Sequence, residues 1–147
     1  MDQRHPIEMF FSSSHPLSSY LTLKYLGTED DAISVAVLPP ADFVVDEETG
    51  TVHSGFATLV LDTILGGTVL GHIELKQPIA TVGLTTQHMR RARMGEELVC
   101  RTRLEGVHRD MAHVSGQLMT ADGSEVLSTA TGTFMIGTRA KPLGARL

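Results

Sequence analysis

The chain has 147 residues, 41% of them hydrophobic, and 17 acidic against 12 basic residues give a net charge of −5 at pH 7. This is the length of one ordinary domain with enough apolar side chains for a core, and the acidic balance argues against non-specific nucleic-acid binding. The single cysteine, Cys100, excludes an internal disulfide and fits a reducing compartment; with no signal-peptide pattern and no uncharged apolar run of membrane-spanning length, a cytoplasmic protein without a membrane partner is expected.

In chain order, residues 6–14 read as a short irregular helix anchored by Phe10 and Phe11. "YLTLKYL" (20–26) and "AISVAVL" (32–38) are rich in β-branched and aromatic residues and read as strands, with the polar "GTEDD" as their turn. Pro39-Pro40 ends the second strand, and residues 41–50 read as a loop closing on Gly50. Residues 56–70 are too long for a strand and lack strict alternation, which predicts a helix with Ser54 as its N-cap. Apolar residues on almost every face predict that it is buried. Gly66 and Gly67 mark either close packing or the helix end.

Four strands are predicted after Pro78, at 79–89, 97–107, 112–121 and 126–136, with Asp122-Gly123 as a hairpin signal. In the second of them Leu98, Cys100, Thr102 and Leu104 alternate with Arg101, Arg103 and Glu105, so one sheet face is covered and the other wet. Strands, one buried helix and then antiparallel strands imply an α+β fold, an antiparallel sheet curled around one long helix. The expected division is an N-terminal extension at 1–17, one domain at 18–137 and a loose tail at 138–147.

One residue breaks the apolar helix. Burying a carboxylate without a partner is costly, so Asp62 needs a reason: either chemistry or a structural hydrogen bond at an interface. His53 either orients the loop before the helix or contacts a ligand. His72, His88, His108 and His113 form no short metal-ligand motif, so no metal is expected. Cys100, inside an alternating strand, reads as core. The basic group Arg90, Arg91 and Arg93, with Arg109 in a later hairpin, is either a phosphate grip or a solvated turn.

"GTVHSGFATLVLDTILGG" followed by "TVGLTTQHMRRARMGEELVCRTRLEGVHRDMAHVSGQLMTADGSEVLSTATGTFMIG" resembles the hot-dog fold acyl-CoA thioesterases, in particular the phenylacetate-pathway (PaaI-like) type. The resemblance covers about residues 18–136. Ser54 stands where that family usually has the first glycine of His-Gly-Gly, Met89 where it has leucine, and Arg91 where it has proline. The resemblance implies a hydrolase in which a backbone N–H at Ser54 or Gly55 polarises a thioester carbonyl. It also implies a homodimer or dimer of dimers, because each site would combine the helix start of one chain with Asp62 of the other. Asp62 would act as base or nucleophile, beside His53. Arg90, Arg91, Arg93 and Arg109 would meet the coenzyme A part of an acyl-CoA substrate, and no cofactor is called for. A non-hydrolytic thioester-binding protein, a carrier-protein thioesterase and a dehydratase of the same fold remain as alternatives.

Overall fold

The computed structural model describes residues 4–12, 16–73 and 77–139; the expectations for residues 13–14 and for the tail from 140 lie outside them. The elements run α1 (Pro6–Ser12), a 3-10 turn (Pro16–Ser19), β1 (Thr22–Glu29), β2 (Ala32–Leu38), a 3-10 turn (Ala41–Phe43), β3 (Val44–Asp46), β4 (Thr51–Val52), α2 (Gly55–His72), β5 (Ile79–His88), β6 (Leu98–His108), β7 (Met111–Thr120) and β8 (Val126–Ile136). Six strands form one sheet in the order β1-β2-β6-β7-β8-β5, every pair antiparallel. The sheet wraps α2, which packs on β5, β6, β7 and β8. This is the expected hot-dog architecture.

α2 forms the core with the inner sheet face. Phe56, Val60, Leu61, Ile64 and Leu65 are fully buried, as are Val35, Cys100 and Leu118 on the strands. At roughly 25 cal/mol per Å² of apolar surface, such burial is the main term holding the helix in place. Gly66 and Gly67 lie inside the helix, not at its end. A Cβ on Gly66 would stand 3.3 Å from the Phe134 ring, and one on Gly67 would stand 3.1 Å from Ile7 Cγ1. The two glycines let the sheet and α1 approach closely. Ile7 is the fully buried residue of α1, and the expected anchor Phe11 packs against the same core while only partly buried. By length and composition Gly55–His72 could cross a membrane, but 61% of it is buried inside this protein.

Burial on every face of α2 holds only for its second half. Thr58, Leu59, Asp62 and Thr63 in the first half are partly exposed. Two strand boundaries also differ from expectation. β1 continues to Glu29, leaving Asp30 (φ 49°) and Asp31 (φ 61°) as a two-residue turn, the left-handed pair that matches strand twist and that aspartate tolerates. The segment read as a loop contains β3, which pairs with β4 just beyond it. The β7–β8 connection spans five residues: Asp122 Oδ1 accepts hydrogen bonds from the Ser124 N–H, the Ser124 hydroxyl and the Thr120 hydroxyl. Gly123 supplies φ +73°. These donors hold the Asp122 carboxyl down at about 2.

β5 forms one edge of the sheet. Its pairing with β8 slips between Thr81 and Gly83, leaving Val82 bulged and 56% exposed. The bulge resets the alternation of the strand. Thr81 before it and Thr86 and His88 after it all reach toward the helix side, while Thr85 and Gln87 point to the outer face.

Candidate functional site

The start of α2 is clamped on two sides. The His53 N–H donates to Phe43 O at 2.8 Å, and the Val52 N–H donates to Ala92 O at 2.9 Å. These bonds tie the helix entry to the 3-10 turn that precedes β3 and to the arginine loop that follows β5. The expected Ser54 side-chain cap is absent. Ser54 has helical angles, φ −60° and ψ −26°, and its hydroxyl makes no cap bond, because a capping side chain requires extended backbone at that residue. His53 takes the role instead, its Nδ1 accepting the Gly55 N–H at 3.0 Å. Gly55 makes room for this ring, since a Cβ there would sit 2.9 Å from His53 Nδ1.

The donors of the first turn can now be accounted for. Gly55 N–H bonds to the His53 ring, Phe56 N–H to His53 O at 3.0 Å and Ala57 N–H to Ser54 O at 3.1 Å. The Ser54 N–H has no partner among the described residues. One free donor thus stands at the positive end of an 18-residue helix, where the dipole favours an anion or a developing oxyanion.

Asp62 lies eight residues on, about 12 Å along the axis. It is half-buried, and its Oδ1 accepts a hydrogen bond from Thr81 Oγ1 at 3.0 Å. Within one chain Asp62 and Ser54 do not converge. Thr81 was not singled out from the sequence: it is nineteen residues from Asp62 and is aimed at it beside a bulge that no composition signal marks.

The arginines separate into three groups. Arg90 is committed to protein carboxylates: Nη1 bonds Glu96 Oε2 at 3.1 Å, Nη2 pairs with Glu96 Oε1, and Nε lies 2.8 Å from Glu125 Oε1. Glu96 also accepts the Arg93 N–H at 3.0 Å. The Arg90 guanidinium holds both carboxyls below the usual range, and they raise its own value in return. Arg91 and Arg93 are exposed on this braced loop beside the helix start. Arg109 sits in the β6–β7 turn at φ 56°, at the other end of the eleven-residue β6, roughly 30 Å from the Arg90 loop by strand rise.

Arg101 and Arg103 face outward, as the alternation predicts, in a trough of about 500 Å³ on the outer sheet face. That trough lies across the sheet from α2 and is separate from the helix start. Cys100 is fully buried and its thiol is pushed up by burial, as befits a core residue. Among the described residues no three His, Cys, Asp or Glu side chains converge to hold a metal.

The thioesterase superfamily model matches residues 49–127, which include the helix entry, Asp62, Thr81 and the arginine loop. A curated Pseudomonas aeruginosa protein, named provisionally as an esterase, is 33% identical over 85 residues, 58% of this chain and 62% of its own length. The match thus spans less than two thirds of that relative. A crystal structure of a thioesterase family protein from Silicibacter pomeroyi has a TM-score of 0.72 at 16% identity, covering 90% of this chain and 96% of that one. A hypothetical thioesterase protein from Streptococcus pneumoniae, solved with coenzyme A, has a TM-score of 0.72 at 15% identity, covering 91% and 99%. At these identities the two structures speak for the fold alone.

Proposed function

The chain belongs to the thioesterase superfamily, and from that premise we propose that it hydrolyses an acyl-CoA thioester to a carboxylic acid and free coenzyme A. The observation that carries this reading is the Ser54 N–H at the start of α2, which has no partner among the described residues and lies inside the family-matched segment. A thioester carbonyl oxygen accepting that N–H gains charge at the positive helix end, which is where a preorganised donor stabilises the transition state. Serine in place of glycine is no obstacle, because φ −60° and ψ −26° is ordinary right-handed backbone.

Asp62 supplies the second function, from the partner subunit. A two-fold axis that pairs two β5 edges antiparallel would bring the His88 end of one strand to the Thr81 end of the other. Such pairing would set the Ser54 end of one helix near the Asp62 of the partner subunit. The edge position of β5, its exposed Val82 and the half-open first half of α2 support this dimer, since an uncovered edge strand invites pairing. Thr81 fixes Asp62 Oδ1, leaving Oδ2 to take a proton from water as water attacks the carbonyl carbon. The C–S bond then breaks and the thiolate leaves. In direct attack the carboxylate instead bonds the carbonyl carbon, the thiolate leaves, and water hydrolyses the mixed anhydride; label from isotopic water found in Asp62 after a single turnover marks this route, because the base route puts label only into the acid product.

In this reading the exposed Arg91 and Arg93 grip coenzyme A phosphates, Arg90 braces their loop, and Arg109 reaches a site only from the partner subunit. The coenzyme A held by the Streptococcus pneumoniae protein is consistent with such a substrate. The kinship to the phenylacetate-pathway type belongs to this reading as well. Free thiol release from a panel of acyl-CoAs and acyl carrier proteins is the test. Release from acyl-CoAs is expected. Release from carriers alone would shift the substrate class, and binding without release would overturn hydrolysis.

A further inference from the structure

Ser54, Thr58 and Asp62 recur every four residues, so they stand in one row on the face of α2 that the sheet leaves half open. β5 meets this row at two points, Thr81 at Asp62 and His88 at Thr58. The His88 ring is held in place: Nδ1 shares a 2.9 Å hydrogen bond with Ser128 Oγ, and Ser128 is fully buried. Its other nitrogen, Nε2, stands 3.4 Å from both Thr58 Oγ1 and Thr86 Oγ1. These distances are at the outer limit of hydrogen bonding. Three polar atoms therefore converge through long, weak hydrogen bonds, one helical turn or about 6 Å beyond Ser54, and the proposed hydrolysis uses none of them.

We propose that His88, together with Thr58, is a specificity determinant that selects acyl groups carrying a hydroxyl at the third carbon over unsubstituted ones. The inference rests on the thioester reading above. With the carbonyl oxygen on the Ser54 N–H, an acyl group running along the row meets Thr58 Oγ1 and His88 Nε2 next. A hydroxyl both donates and accepts, so it bridges the two atoms whichever ring tautomer is present. A plain alkyl chain at the same place takes water from polar atoms and returns nothing, and sites built on hydrogen bonds discriminate against analogues that lack the group.

The test uses ketone analogues of coenzyme A in which a methylene separates sulfur from the carbonyl, so neither can be hydrolysed. S-(2-oxopentyl)-coenzyme A and its 4-hydroxy counterpart mimic the butyryl and 3-hydroxybutyryl thioesters. Calorimetry should find the hydroxylated analogue bound about tenfold more tightly, the yield of one good hydrogen bond. His88→Leu and Thr58→Val should each bring that ratio close to one. If His88→Leu does not fold, Thr58→Val carries the test, because Thr58 lies on the open helix face. Equal affinity for the two analogues, a ratio that survives the substitutions, or no binding of either analogue overturns the proposal. Thiol release from the two parent thioesters, measured alongside, keeps the readings apart: selective binding without release would remove hydrolysis and leave the selectivity.

Discussion

The two halves of α2 put one helical backbone to different uses. From Ile64 to Leu70 every residue is buried, and two glycines replace side chains where Phe134 and Ile7 press against the helix. From Gly55 to Thr63, Phe56, Ala57, Val60 and Leu61 are buried, while Thr58, Leu59, Asp62 and Thr63 remain partly open. The second half spends all of its surface on packing. The first half anchors through one face and holds back a row of polar groups on the other. A site that must stay accessible is thus attached to the most tightly enclosed element of the fold, which fixes its geometry without burying it.

The sharpest separation comes from paired substitutions, one in each half. Leu65 is fully buried and lies over Gly116 and Gly132, where added Cβ atoms would come within 3.1 Å and 3.4 Å of its methyl carbons. Leu65→Ala should lower stability by about 2–5 kcal/mol, read by urea denaturation, while thiol release per folded molecule stays near that of the parent protein. Ser54→Pro should do the reverse. Proline matches φ −60° but removes the free N–H, so turnover should fall by about 10²–10³-fold, as for loss of one oxyanion donor. Near-normal turnover in folded Ser54→Pro would sink the oxyanion assignment. Loss of turnover in Leu65→Ala without loss of stability would break the division between the halves.

Asp62→Asn comes next. The amide oxygen can still accept from Thr81 Oγ1, so folding and dimerisation should survive while thiol release falls by about 10²-fold or more. Unchanged turnover would leave Asp62 with only its hydrogen bond to Thr81. A monomer by sedimentation at micromolar concentration would remove the shared site altogether.

What could be read from the sequence follows the range of the interactions. The alternation of β6 and the length of the apolar run in α2 are local patterns, and the first correctly places Leu98, Cys100 and Thr102 inward and Arg101 and Arg103 outward. Gly66 and Gly67 were legible as unusual, but their choice between packing and helix end depended on Phe134 and Ile7, each about sixty residues away or more. Ser54 has the composition of an N-cap but not its backbone angles, which only the chain path through His53 determines. Arg90 looked equivalent to Arg91 and Arg93 until the β7–β8 turn brought Glu125 to it. Thr81 and His88 were hidden by the bulge at Val82, which reverses the alternation between them.

The arginine loop supplies a weaker test of how the site is braced. Glu96 is held below its ordinary value of 4.5, first by its hydrogen bond from Arg90. A depressed carboxyl stabilises the fold above its unfolded value and loses that contribution as pH falls through the folded one. Glu96→Gln should therefore be less stable than the parent at pH 7 by about 1 kcal/mol, as for a part-exposed ion pair. The gap in denaturation midpoint should close as pH drops below 4.5. It should also raise KM for acyl-CoA more than it lowers kcat, because the loop carrying Arg91 and Arg93 is loosened while the helix start is not. A gap that persists unchanged in acid would mean that the charge on Glu96 does not brace the loop.

The smallest expected effect is at Ser54 itself. A serine at an N-cap ordinarily contributes about 1 kcal/mol through its hydroxyl, but here the hydroxyl makes no cap bond and His53 Nδ1 meets the Gly55 N–H instead. Ser54→Ala keeps the backbone donor and the helical angles and removes only that hydroxyl. Stability should change by no more than about 0.5 kcal/mol, as for an ordinary surface substitution, and thiol release should stay close to that of the parent protein. Set beside Ser54→Pro, this places the role of the residue in its N–H rather than its side chain. A large loss of turnover in Ser54→Ala, together with an acyl adduct trapped on Ser54 in the parent protein, would make the hydroxyl a nucleophile and reduce Asp62 to a supporting group.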